Sequence, residues 1–155
     1  MRQGTGTRGQ TTALAIVMVM GLGGSLVHSP AHAEENATPQ RFLEIMNALG
    51  DDMVEITRGI TSEDWIQVAE HAEAIANHPS PPMSERARVL AFAGSDMATF
   101  RQFDQETHQA AEALADEAAG GDGEAIIAGF SRLQSGCLSC HAQFRSAYRD
   151  HFQAK

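Results

Sequence analysis

Beyond residue 37 the apolar positions of the chain recur at three- and four-residue steps, and nowhere do they alternate for long, as a half-buried strand would require. Phe42, Ile45, Met46, Leu49, Met53, Ile56 and Ile60 form one such stripe, with Thr38 as its N-cap and Pro39 at the opening helical position. Thr61 with Asp64 reads as a capping box for a second helix carrying Trp65, Val68, Ala72 and Ile75, which Asn77-His78-Pro79 stops. Pro79, Pro81 and Pro82 make the following loop. Ser84 caps a short helical stretch through Val89 and Phe92, and Ser95 opens a third long helix through Phe100, Phe103, Thr107, Ala111 and Leu114. Gly94 leaves open whether these are one piece or two. Gly120-Gly121-Asp122-Gly123 ends that segment and begins the next, with Asp122 as N-cap. In the last helix Phe130, Leu133, Cys137, Cys140 with His141, Phe144, Tyr148 and Phe152 follow at helical spacing. Four amphipathic helices with short connections predict an all-α fold, an antiparallel four-helix bundle with room for a cofactor between facing helices.

The first 33 residues follow a different pattern. Arg2 and Arg8 give a weakly basic start, Ala13 to Leu26 is an apolar run too short to span a bilayer comfortably, and Ala31-His32-Ala33 supplies a small-x-small cleavage pattern. Residues 1–33 are therefore expected to be a secretory signal peptide, cut before Glu34, leaving residues 34–155 as one exported domain with no stable membrane insertion. The two arginines are not adjacent, so no twin-arginine signal is present, and no cysteine lies near the cut for lipidation. The net charge of −9 becomes about −11 once the leader and its two arginines are gone. An acidic surface excludes nucleic acid and anionic lipid as partners. Solubility alone accounts for such a charge, and a basic partner remains open.

Chemistry enters with Cys137-Leu138-Ser139-Cys140-His141, a C-x-x-C-H run that reads as covalent attachment of one c-type haem through two thioethers. On a helix the two sulfurs share a face, and the histidine follows as an axial iron ligand. These are the only two cysteines, so a disulfide scaffold is impossible. A redox dithiol belongs at a helix N-terminus, where the thiol pKa is lowered, whereas this pair lies well inside a helical stretch. A structural zinc site needs four ligands, and there is no second cysteine pair.

The run Gly136-Cys137-Leu138-Ser139-Cys140-His141-Ala142-Gln143-Phe144-Arg145, a haem motif close to the C-terminus followed by an aromatic and an arginine, resembles the class II c-type cytochromes. These include cytochromes c′ and their low-spin, methionine-ligated relatives, and the resemblance covers the whole mature chain. It implies haem c as cofactor and a periplasmic, soluble location, since haem is attached to c-type cytochromes outside the bacterial cytoplasm. In the low-spin branch an axial methionine lies near the start of the first helix, and this implies Met46 as the sixth ligand, with His141 and Met46 as the metal ligands. Met53, His71 or an open sixth position are the alternatives, and Met83 and Met97 are weaker. A methionine on an amphipathic helix is otherwise ordinary packing. Gly50, in a helix interior, suits either close approach to a flat macrocycle or local flexibility.

Arg145, four residues after His141, falls on the same side of its helix, near the imidazole or a propionate; Arg41 is a further candidate for propionate pairing. His71 has a wet face beside Glu70 and Glu73, His78 is a loop residue near a helix C-terminus, and His108 and His151 are expected to be exposed. The expected activity is one-electron transfer with unidentified redox partner proteins, with no substrate bond made or broken and hence no enzyme. The second reading is a high-spin, cytochrome c′-like protein that binds nitric oxide or carbon monoxide at an open distal site. A peroxidase- or reductase-like activity lacks a distal acid-base histidine. Pairing of two copies through the first two helices is left open.

Overall fold

The computed structural model describes residues 39–153; the expected signal peptide, its cleavage site and Thr38 lie outside the described residues. The helices are α1 (Gln40–Ser62), α2 (Trp65–Ala76), α3 (Met83–Ala93), α4 (Met97–Gly120) and α5 (Gly123–Phe152), with a 3₁₀ turn, Gly94–Asp96, between α3 and α4. No strand occurs among the described residues. The fold is all-α: α1, α2, α4 and α5 form a four-helix bundle, with α3 a short extra piece on the connection from α2 to α4.

Local chemistry explains most element ends. Asp64 caps α2 by accepting from the Gln67 amide, and Asp122 caps α5 by accepting from the Glu124 and Ala125 amides. Gly121 ends α4 in the left-handed region at φ 74°, where glycine has no Cβ to clash. Three capping expectations are corrected. Thr61 does not cap α2: it lies in the last turn of α1, where its hydroxyl donates to the Arg58 carbonyl at 2.8 Å. The chain leaves α1 through Glu63 at φ 56° instead, with the Asp64 amide donating back to the Gly59 carbonyl. Ser84 is inside α3, which begins at Met83 behind Pro82. Ser95 sits in the 3₁₀ turn, and α4 opens at Met97. Gly94, at φ 53° and ψ −119°, divides α3 from α4, which settles the question of one piece or two.

At the start of α1, Pro39 stands just outside the helix and offers no side-chain cap. The orphan amides of Arg41 and Phe42 donate instead to the two carboxylate oxygens of Glu85 on α3, at 3.2 and 2.9 Å. A carboxylate there also meets the positive end of the helix dipole. Glu85, 44 positions from Arg41, thus satisfies amides at the start of α1.

The dry core lies at the α1–α2 turn end of the bundle, where Ile56, Val68, Leu114, Ile126 and Leu133 are fully buried with Ala72 and Ala111 beside them. Gly59 lets α1 and α2 cross closely, because a Cβ there would stand 2.9 Å from the Val68 side chain. Each buried aliphatic side chain contributes roughly 1.5–3 kcal/mol.

Candidate functional site

α2 has 12 residues against 23 in α1, 24 in α4 and 30 in α5. Beyond its end α1 and α5 do not close on one another. α1 and α5 meet at only a few positions, and a cavity of about 770 Å³ opens along them. Volume of this order is typical of a bound small molecule or cofactor. The far end is closed by aromatic rings: Tyr148 lies 5.5 Å from Phe42, 5.9 Å from Phe92 and 4.8 Å from Phe152, centroid to centroid. On the α4 side Phe100 stands edge-on to Phe144 at 5.3 Å.

Five of the residues singled out for the cofactor line this space: Cys137, Cys140, His141 and Arg145 from α5, and Met46 from α1. Gly50 and Met53 line it as well. The two cysteines are unpaired and half-buried in mid-helix. Their placement comes from α5's long amphipathic run, and Gly136 just before them allows close contact with α4, since a Cβ there would lie 3.1 Å from Thr107 Oγ1.

The thiols lack the lowered pKa of a reactive redox dithiol. Burial pushes the Cys137 thiol up, and burial with the nearby charges of Asp104 and Cys137 pushes Cys140 up to about 11. A reactive pair would be shifted the other way. His141 is shifted down, first by burial and then by the Arg145 guanidinium. That keeps the imidazole neutral at physiological pH, as metal ligation requires, and it places Arg145 beside His141, as the four-residue spacing predicts.

His71, Arg41 and Met83 fall outside the cavity, whereas His108 lines it. His71 is turned to α1, its Nδ1 2.8 Å from Asp52 Oδ1. Arg41 pairs with Glu44 at 2.8 Å and does not line the cavity. Met83 is 70% exposed. His108, expected to be exposed, is a correction: it is half-buried, with Nδ1 2.6 Å from the Ala76 carbonyl at the end of α2. The C-terminus of a short helix offers orphan carbonyls, and His108 from the neighbouring helix answers one. Sequence reasoning also missed the aromatic closure by Phe92, which needed the return of α3 to the α1 end; no local spacing signals that.

The residues present fit a haem. One wall carries the two sulfurs and a neutral imidazole, and the lining is largely apolar and aromatic. A Cβ at Gly50 would meet nothing within 4 Å, so the first helix leaves open space where a flat group would lie. Tyr148 has a buried hydroxyl without a hydrogen-bond partner among the described residues, a cost that a bound polar substituent would relieve.

The family model described as Cytochrome C′ matches residues 36–145, a stretch that includes the whole C-x-x-C-H run. The chain belongs to the cytochrome c′ family. It is accordingly a c-type haem protein, of a family whose members carry electrons or bind ligands. No curated protein and no solved structure matched the chain.

Proposed function

We propose that this cytochrome c′ family member is a periplasmic carrier of single electrons. Residues 1–33 act as the signal peptide, one haem c is joined to Cys137 and Cys140, and His141 and Met46 are the axial ligands. The observation that carries the reading is the presence of Met46 on α1 in the same cavity that His141 enters from α5. A bound haem supplies a one-electron couple between ferric and ferrous iron, and thioether–imidazole ligation raises its potential. Cys137 and Cys140 fix the group to α5. His141 presents a neutral nitrogen, with Arg145 beside it to disfavour protonation. Phe42, Phe92, Phe100 and Phe144 line the cavity with apolar rings. Met46 and His141 would hold the iron from the two sides of the cavity, and a group so held would change oxidation state with little rearrangement of the protein. Redox partner proteins would approach through a small, transient contact.

Two further facts bear on location. Members of the family are typically periplasmic, and no described helix is long and apolar enough to cross a membrane.

The family itself favours a second reading, an open distal site that binds nitric oxide or carbon monoxide. A visible spectrum of the reduced protein with and without carbon monoxide separates the two. Unchanged bands in the wild type, and carbon monoxide binding in Met46→Ala, are expected for methionine ligation. Carbon monoxide binding by the wild type, unaltered by Met46→Ala, would establish the open site.

A further inference from the structure

On the Cys140 side of the same cavity, three lining residues with metal-ligating atoms converge, none of them assigned to the haem above. Asp104 and His108 are four residues apart on α4 and share one face, with Asp104 Oδ1 3.9 Å from His108 Nε2. His78, in the loop after α2, stacks on His108 with ring centroids 4.7 Å apart. One ligand atom from each residue lies within 4.8 Å of the other two.

The hydrogen bonds fix which nitrogens are free. His108 Nδ1 lies 2.6 Å from the Ala76 carbonyl and His78 Nδ1 lies 3.2 Å from the Pro79 carbonyl. A carbonyl only accepts, so in both rings Nδ1 carries the proton and Nε2 keeps its lone pair. Metal-binding histidines have this arrangement, one ring nitrogen donating to a carbonyl or carboxylate while the other ligates. The Asp104 side chain is 58% exposed and that of His108 30%, which leaves a route from solvent. The chain's net charge of −9 favours cations throughout.

We infer that His78, Asp104 and His108 form a second metal site, for a borderline divalent transition ion of the Zn²⁺ or Cu²⁺ class. Two imidazole nitrogens and one carboxylate oxygen suit such ions, with the remaining positions open to water. Calcium and magnesium prefer all-oxygen shells. Metal–ligand bonds near 2.1 Å put tetrahedral donors about 3.4 Å apart, so the three groups close by about 1 Å, within reach of side-chain rotation. None of the three is a proposed haem ligand, and the site stands whether the iron's sixth position is Met46 or open.

The test is calorimetric titration of chelator-treated holoprotein with zinc chloride at neutral pH, zinc being redox-inert. One zinc per chain is expected. His78→Asn and Asp104→Asn should each weaken binding at least about tenfold, whereas His151→Asn, away from the cluster, should leave it as in the wild type. An unaltered haem spectrum in each variant shows that the fold is intact. His108→Asn is a poorer probe because it also removes the hydrogen bond to Ala76. Absence of zinc binding in the wild type, or wild-type affinity in either His78→Asn or Asp104→Asn, overturns the inference.

Discussion

The same helices build two unlike halves. At the α1–α2 turn end, Ile56, Val68, Leu114, Ile126 and Leu133 are sealed from water, small residues let the helices approach, and α2 supplies the fourth wall. At the other end α2 has stopped, and large, half-exposed side chains surround a cavity of about 770 Å³. One half is stabilised by contacts the polypeptide makes with itself. The other is closed by aromatic rings at its far end but leaves the space between α1 and α5 unfilled, and is expected to gain contacts there from a bound group. A bundle helix cut short is thus a way of making room without breaking the remaining helices.

The largest test of that division is Cys137→Ser with Cys140→Ser. Covalent haem should be lost entirely, as read by protein mass. Amide exchange should then quicken in the N-terminal half of α1 and the C-terminal half of α5 while amides around Ile56, Leu114 and Ile126 stay protected; uniform loss of protection would erase the distinction.

Within the dry half, Leu114→Ala should cost about 2–5 kcal/mol by denaturant unfolding. Gly59→Val pushes side-chain atoms towards Val68, where even a Cβ stands at 2.9 Å, and should cost about 1–3 kcal/mol. In the cavity half the sign reverses. Gly50→Ala has open space and should stabilise the apoprotein by up to about 1 kcal/mol, a gain that disappears in the holoprotein if the macrocycle occupies that space.

The smallest effect is at Tyr148, whose hydroxyl burial, with Glu85 nearby and Arg88 opposing, pushes up to about 12 from an ordinary 10. A folded-state value above the unfolded one means its contribution is complete below pH 10 and is lost as pH rises towards 12. Tyr148→Phe should flatten that alkaline limb of the stability curve and leave neutral-pH stability within about 1 kcal/mol.

Much of this was legible in the residues. Period and caps predict the bundle because Asp122 and the Phe130–Phe152 stripe are local signals, and the C-x-x-C-H run places Cys137, Cys140 and His141 on one helix. What was not legible is non-local. The start of α1 is satisfied by Glu85 from another helix, and the end of α2 by His108 from α4; neither partner has a spacing that announces it. Thr61 carries the letters of a cap, but the Gly59–Asp64 turn holds α1 on past it. Arg41 and His71 looked available for the haem and are taken by Glu44 and Asp52. Met46 and Met53 share the cavity wall, so the proposed methionine ligation has two candidates on one helix face, with an open sixth position as the alternative reading.

Everything specific to this site rests on a porphyrin held by the two sulfurs of α5. Intact-mass spectrometry of the mature chain, expressed with a functioning cytochrome maturation system, measures that directly. The expected result is a coloured protein heavier than its polypeptide by one haem, with the added mass on a peptide spanning Cys137 and Cys140. A colourless chain of bare polypeptide mass would contradict it.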